Sequence, residues 1–155
     1  MNRKKLPSYI MLFLPWLTIP FVGKKSFIRF ASTASLANLF IILLSIIARR
    51  KRWWKNKNPM FPNGPDFSYI LGPHFVTTLW VFKLTYGSFP KYLITNIVLD
   101  WINTFFLARI WERYGFFKFK KVSSNIYWGI NIILAIILYG YHYTLEKVIN
   151  NKKFT

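Results

Sequence analysis

Asp100 is the residue best placed to do chemistry in this chain, because it stands alone in an apolar run. It lies in NIVLDWIN, residues 96–103, between YLIT and TFFL, and the nearest other acidic residue is Glu112. A carboxyl group in such surroundings has three uses. It can relay protons or bind a cation. It can hold neighbouring helices together, or it can serve as a general acid or base beside a second convergent group. Partners are scarce, since the chain has 4 acidic residues and 2 histidines, His74 and His142. Placed at helical spacing, Asn96, Asp100, Asn103 and Thr104 share one face, and His74, Thr77, Thr78 and Thr85 share another.

Other chemistry is poorly served. The chain contains no cysteine, which removes disulfides, thiol catalysis and thiolate metal sites. HExxH, CxxC, GxxxxGK[ST] and GxSxG do not occur, so no motif calls for a metal or a cofactor. Only His74 falls near enough to Asp100 to serve an acid–base pair, and no lysine or serine has an evident base.

The elements that carry these residues follow from composition. The chain is 54% hydrophobic and 21% aromatic over 155 residues, yet its formal net charge is +18. A water-soluble domain of this length cannot bury that much apolar surface. The basic residues fall in clusters at the ends of apolar runs: RKK at 3–5, KK at 24–25, RRKRWWKNK at 49–57 and KFKK at 118–121. That placement is the anchoring pattern of membrane helices and argues against nucleic acid as the partner.

The chain therefore reads as a single all-α domain, residues 1–155, a polytopic transmembrane helical bundle of five spans. The spans cover about residues 6–22, 30–48, 67–87, 92–108 and 122–145. The first carries Pro15 and Pro20 and is either kinked or re-entrant. It follows a basic start but ends in IPFVGKKSF, which has no A-x-A-like site, so cleavage as a signal peptide is not expected. Only SFPK separates the third span from the fourth, which predicts a tight antiparallel hairpin. A turn centred near Phe89 would set Thr78 level with Asp100, and His74 about 6 Å deeper. Thr78 and His74 are then the expected partners of the carboxyl group, while Lys83 points away toward the outer headgroups.

Orientation follows from the positive charges. With five spans and the N-terminus inside, 14 of the 22 Lys and Arg residues lie on the inner side, and the C-terminus lies outside. A re-entrant first segment would make the split 11 to 11. Arg49, Arg50, Lys51 and Arg52, followed by Trp53 and Trp54, form an expected contact for anionic lipid headgroups at the inner face. The remaining clustered aromatics, including Tyr139, Tyr141 and Tyr143, are expected to form an interfacial belt. A small-residue stripe of Ala31, Ala34, Ser35, Asn38 and Ser45 should pack the second span. Tyr127, Asn131, Ala135 and His142 should pack the fifth.

The strings LPWLTIPFVGKKSFIRF, RRKRWWKN and ILGPHFVTTLWVFKLTYGSFPKYLI resemble those of small multi-pass membrane proteins of low-GC Gram-positive bacteria. The resemblance covers most of the chain through the fourth span. It implies a fold type and a place in a bacterial cytoplasmic membrane. That group carries no assigned activity, so no functional residue is transferred. Taken together, the readings favour a non-enzymatic structural, regulatory or accessory membrane protein working through lipids, a second copy or another membrane protein. A small transporter or ion-conducting subunit, using the seam of His74, Thr77, Thr78, Asn96, Asp100 and Asn103, is the alternative. A membrane-embedded lipid enzyme ranks third. Asp100 is packing glue in the first reading and a working group in the second.

Overall fold

A computed structural model describes residues 6–56, 65–113, 117–120 and 122–151. Five helical rods make up most of it. The first, α1, runs over residues 6–22: α-helical at Leu6–Phe13, tightened to a 3-10 helix at Leu14–Thr18, and α-helical again at Ile19–Val22. Pro15 and Pro20 each fall at the start of one of these pieces, where a missing N–H is tolerated. They re-pitch the rod without ending it. Gly23, at φ 81°, then turns the chain into α2, Lys24–Arg50.

The third rod, α3, covers residues 67–85, starting with one α-turn at Phe67–Tyr69. Asp66 caps it by accepting the Tyr69 N–H at 3.4 Å. Burial pushes the Asp66 carboxyl above the usual range, against the pull of the N–H groups it receives. Pro73 has no N–H to give the helix, and the ladder widens to a π-helix over Ile70–His74 before resuming at Phe75–Thr85. The fourth rod, α4, covers residues 89–113 and has its own π-helical stretch at Ile102–Leu107. The last, α5, is Ser124–Asn151.

Helices α2, α3, α4 and α5 close a ring in which successive members pack side by side, and α1 lies outside it against α3. Lys24–Arg50, Phe89–Ile110 and Ser124–Asn151 are long and apolar enough to cross a membrane, and Ser8–Val22 is a shorter apolar helix. The exterior of α1 is strongly apolar, with Leu17 and Phe21 70% and 73% exposed.

Helix α1 does not double back. It runs parallel to α3 along its length: Trp16 Nε1 donates to the Leu71 carbonyl at 2.9 Å, and Trp80 Nε1 donates to Thr18 Oγ1 at 3.0 Å. Lys83 corrects the expectation that it reaches away from the bundle. Its ammonium donates to the Phe21 carbonyl and lies 4.8 Å from the Trp80 ring, capping the end of α1. At the opposite end, Gly72 comes so close to the backbone of Met11 and Leu12 that a Cβ would stand 2.3 Å from the Met11 oxygen.

One element was absent from the all-helical expectation. Trp54–Asn56 (β1) and Phe117–Phe119 (β2) form a two-stranded antiparallel ribbon with Trp54 opposite Phe119. It joins the two basic segments that follow α2 and precede α5. The chain enters it through Arg52 at φ 54°, with Trp53 N–H closing back on the Ala48 carbonyl at 2.8 Å. This is a Schellman-type ending with arginine where glycine is usual.

The packing stripe on α2 is also shifted from the expected one. Phe30, Thr33, Ala34, Ala37, Asn38 and Ile41 are buried, whereas Ser35 is exposed. On α5, Asn131, Ala135 and His142 are buried as the spacing predicts.

Candidate functional site

The hairpin of α3 and α4 sets the site. Gly87, at φ 101°, occupies the turn, and Phe89 with Pro90 already belongs to α4. Proline suits the first helical turn, so the helix starts at Phe89, three residues earlier than SFPK as a loop would allow. The register moves accordingly. Tyr69 meets Asn103 and Phe82 meets Tyr92, which brings Asp100 level with Pro73 and His74 instead of Thr78.

The six seam residues, His74, Thr77, Thr78, Asn96, Asp100 and Asn103, all line one cavity of about 220 Å³ between α3, α4 and α5. Both π-helical stretches contribute to its wall, through Pro73 and His74 on one side and Ile102, Asn103 and Leu107 on the other. Such widened turns re-aim side chains and recur at functional sites. Asn131 adds a further amide from α5, and Leu99, Leu134 and Leu138 supply an apolar wall.

The hydrogen bonds correct the expected pairing. Thr78 Oγ1 donates to the His74 carbonyl at 2.8 Å, and Asn96 Nδ2 donates to the Tyr92 carbonyl at 2.8 Å, each within its own helix. Asn103 Nδ2 donates to the Tyr69 hydroxyl at 3.0 Å. The imidazole of His74 looks to α2, with Nδ1 2.8 Å from Asn38 Oδ1. Because that oxygen only accepts, Nδ1 carries the proton, and Nε2 is left as an acceptor. Neither Thr78 nor His74 bonds to Asp100. Among the described residues no donor is within hydrogen-bonding geometry of its carboxyl group, which faces the cavity. Nor do three residues of metal-ligating type come together among them.

A second polar constellation lies where α2, α3 and α5 meet, toward the Tyr86 end of α3. His142 is fully buried; its Nδ1 is 2.7 Å from Thr33 Oγ1, and its Nε2 is 3.3 Å from Glu146 Oε1 without hydrogen-bond alignment. Arg29 binds the same carboxylate with both arms, Nε to Oε1 and Nη2 to Oε2, the latter at 3.0 Å. The guanidinium also stacks over Phe30 and Tyr86, at 5.1 and 5.0 Å from their ring centres. The sequence reading treated His142 as a packing residue and did not connect it to Glu146. Their i, i+4 spacing in HYTLE was the available signal, but nothing local pointed to Arg29 across the bundle.

The aromatic belt is likewise only part of the picture. Tyr139 packs inward against Tyr86, Phe89 and Tyr92, and Phe82 lies tilted against Tyr92 where both line the cavity.

Arg49, Arg50, Lys51 and Arg52 are all exposed at the end of α2, and Lys51 lies over the Trp53 ring at 5.6 Å. Arg109, Arg113 and Lys120 are exposed at the same end of the bundle. The side chain of Trp54 lies outside the described residues. Comparison with protein-family models, with characterised proteins and with solved structures finds no match to this chain.

Proposed function

We propose that the chain is an integral protein of a bacterial cytoplasmic membrane with five spans, N-terminus inside and C-terminus outside. In this reading it holds a small solute in the cavity between α3, α4 and α5, as a small transporter or the solute-binding subunit of one. The carrying observation is that all six seam residues line that cavity, with the Asp100 carboxyl facing it and unbonded among the described residues. Packing glue would instead bond helix to helix, and of the six only His74 and Asn103 do so. That weighs against the accessory role favoured by sequence alone. Binding, not catalysis, suits a lining with one carboxyl group and an imidazole already engaged by Asn38.

The five-span arrangement is supported by the course of α1 alongside α3 and by the ribbon that joins two basic segments at one end. The exposed basic residues there, together with Trp53, serve anionic headgroups.

The cysteine-free chain makes the test direct. Single cysteines at Thr78 and Asn96, both half-buried and lining the cavity, should react with a water-soluble thiol reagent in membranes. Cysteines at the exposed apolar positions Ile94 and Phe106 should not. Equal inertness at all four positions would show a dry interior and remove the reading.

A further inference from the structure

We infer that the cavity is a site for a small organic cation bearing N–H donors, an ammonium or guanidinium compound, with Asp100 as its counter-ion. This rests on the solute-binding reading and adds the chemical class of the solute. The sign of the charge comes first. The chain carries 22 Lys and Arg against 4 acidic residues, yet the cavity wall contains one carboxyl group and no lysine or arginine. In a strongly basic protein, the acidic or basic side chain lining this cavity is a carboxyl group. An anionic solute would meet repulsion there and no counter-charge.

The hydrogen-bonding character points the same way. The donors of the wall are largely turned aside: Thr78 to the His74 carbonyl, Asn96 to the Tyr92 carbonyl, Asn103 to the Tyr69 hydroxyl and His74 Nδ1 to Asn38. What these groups keep in hand is mostly acceptors, namely the two amide oxygens, the Thr78 lone pairs and His74 Nε2, beside one remaining N–H on each amide. Beside them stands the Asp100 carboxyl. A wall rich in acceptors is satisfied by a ligand rich in donors, which a bare alkyl or quaternary cation is not.

Size and shape complete the class. At about 30 Å³ per water in the liquid, a 220 Å³ space exceeds what a single inorganic ion requires. Leu99, Leu134 and Leu138 make part of the wall apolar, which accommodates a short hydrocarbon body. Phe82 and Tyr92, tilted at 49° with ring centres 4.9 Å apart, add to the lining aromatic surface that also tolerates a cation.

The test is equilibrium binding to the full chain in lipid nanodiscs, using n-butylammonium and guanidinium, with n-butanol, butyrate and tetramethylammonium as comparators. Butylammonium or guanidinium should bind at least tenfold more tightly than each comparator. Asp100→Asn should weaken that binding roughly ten- to a hundredfold, the range of one hydrogen bond to a charged group. Asp100→Glu, which keeps the charge in a cavity with room for one more methylene, should stay within a few-fold of wild type. Because Asn keeps the size of Asp, a normal thermal midpoint for the variant separates lost binding from lost fold. Equal binding of butanol and butylammonium, or unchanged affinity in Asp100→Asn, would overturn the cation assignment. Absence of binding by both cations, in protein whose Thr78 and Asn96 cysteines still label, would overturn it while leaving the solute-binding reading intact.

Discussion

Replacing Gly72 with alanine should pry α1 from α3. The added Cβ would stand 2.3 Å from the Met11 oxygen, 3.0 Å from Leu12 Cα and 3.1 Å from the Leu12 oxygen. All three are backbone atoms, so no side-chain rotation relieves the clash. Relief requires α1 to withdraw by roughly 1 Å, the shortfall from ordinary contact. Overpacking of this kind costs about 1–3 kcal/mol. Withdrawal also stretches the bonds from Trp16 Nε1 to Leu71 and from Trp80 Nε1 to Thr18, 2.9 and 3.0 Å long. Each is worth about 0.5–1.5 kcal/mol. Alanine returns about 0.5–1 kcal/mol through its better helix propensity. The net expectation is a loss of about 2–4 kcal/mol. Gly129 and Gly140 on α5 provide the control, since a Cβ at either meets nothing within 4 Å. Their alanine variants should be neutral or stabilised. Reversible unfolding in mixed detergent micelles reads all three. If Gly72→Ala is as stable as Gly129→Ala and Gly140→Ala, α1 does not pack on α3 as described, and the five-span arrangement loses its support.

Arg52 holds a left-handed conformation that glycine adopts at no steric cost, so Arg52→Gly should stabilise the end of α2 by about 1 kcal/mol. A lower unfolding midpoint would show that its charge matters more than its backbone. The Arg29–Glu146 pair is partly exposed, so a double-mutant cycle with Arg29→Gln and Glu146→Gln should give a coupling of about 1 kcal/mol or less, falling with salt. A coupling well above that would mark the pair as more buried in the bilayer than its exposure implies. Changing Arg49, Arg50, Lys51 and Arg52 together to Gln should reduce co-purifying anionic lipid, each basic residue contributing about 1 kcal/mol near a charged leaflet. Unchanged lipid content in correctly oriented protein would refute headgroup binding at this end. Reporter fusions at Asn58 and Thr155 should report inside and outside respectively, and the same side for both would refute the orientation.

The helical bundle was legible in the sequence because its causes are local. Runs of about twenty apolar residues bounded by basic clusters state where helices begin and end, and 3.6-residue spacing assigns Asp100, Asn96 and Asn103 to one face. The same spacing gathered His74, Thr77 and Thr78, so the membership of the cavity wall could be read before any tertiary contact was known. Pairing across helices could not. Moving the turn from Phe89 to Gly87 set Asp100 opposite His74, because a shift of two residues at a hairpin's apex propagates along both arms. The partner of His74 is Asn38, 36 positions away, and Arg29 reaches Glu146 across 117 positions. Nothing in a linear periodicity encodes which helix stands beside which. The widened turns at Ile70–His74 and Ile102–Leu107 have the same standing. Pro73 lies inside the stretch read as one span over 67–87, and in its widened turn the Leu71 carbonyl receives the Trp16 indole N–H from another helix. Composition and periodicity determined that this chain builds apolar helices with a polar seam. Only the packing of those helices decided that the seam lines a space and, among the described residues, leaves its one carboxyl group without a hydrogen-bond partner.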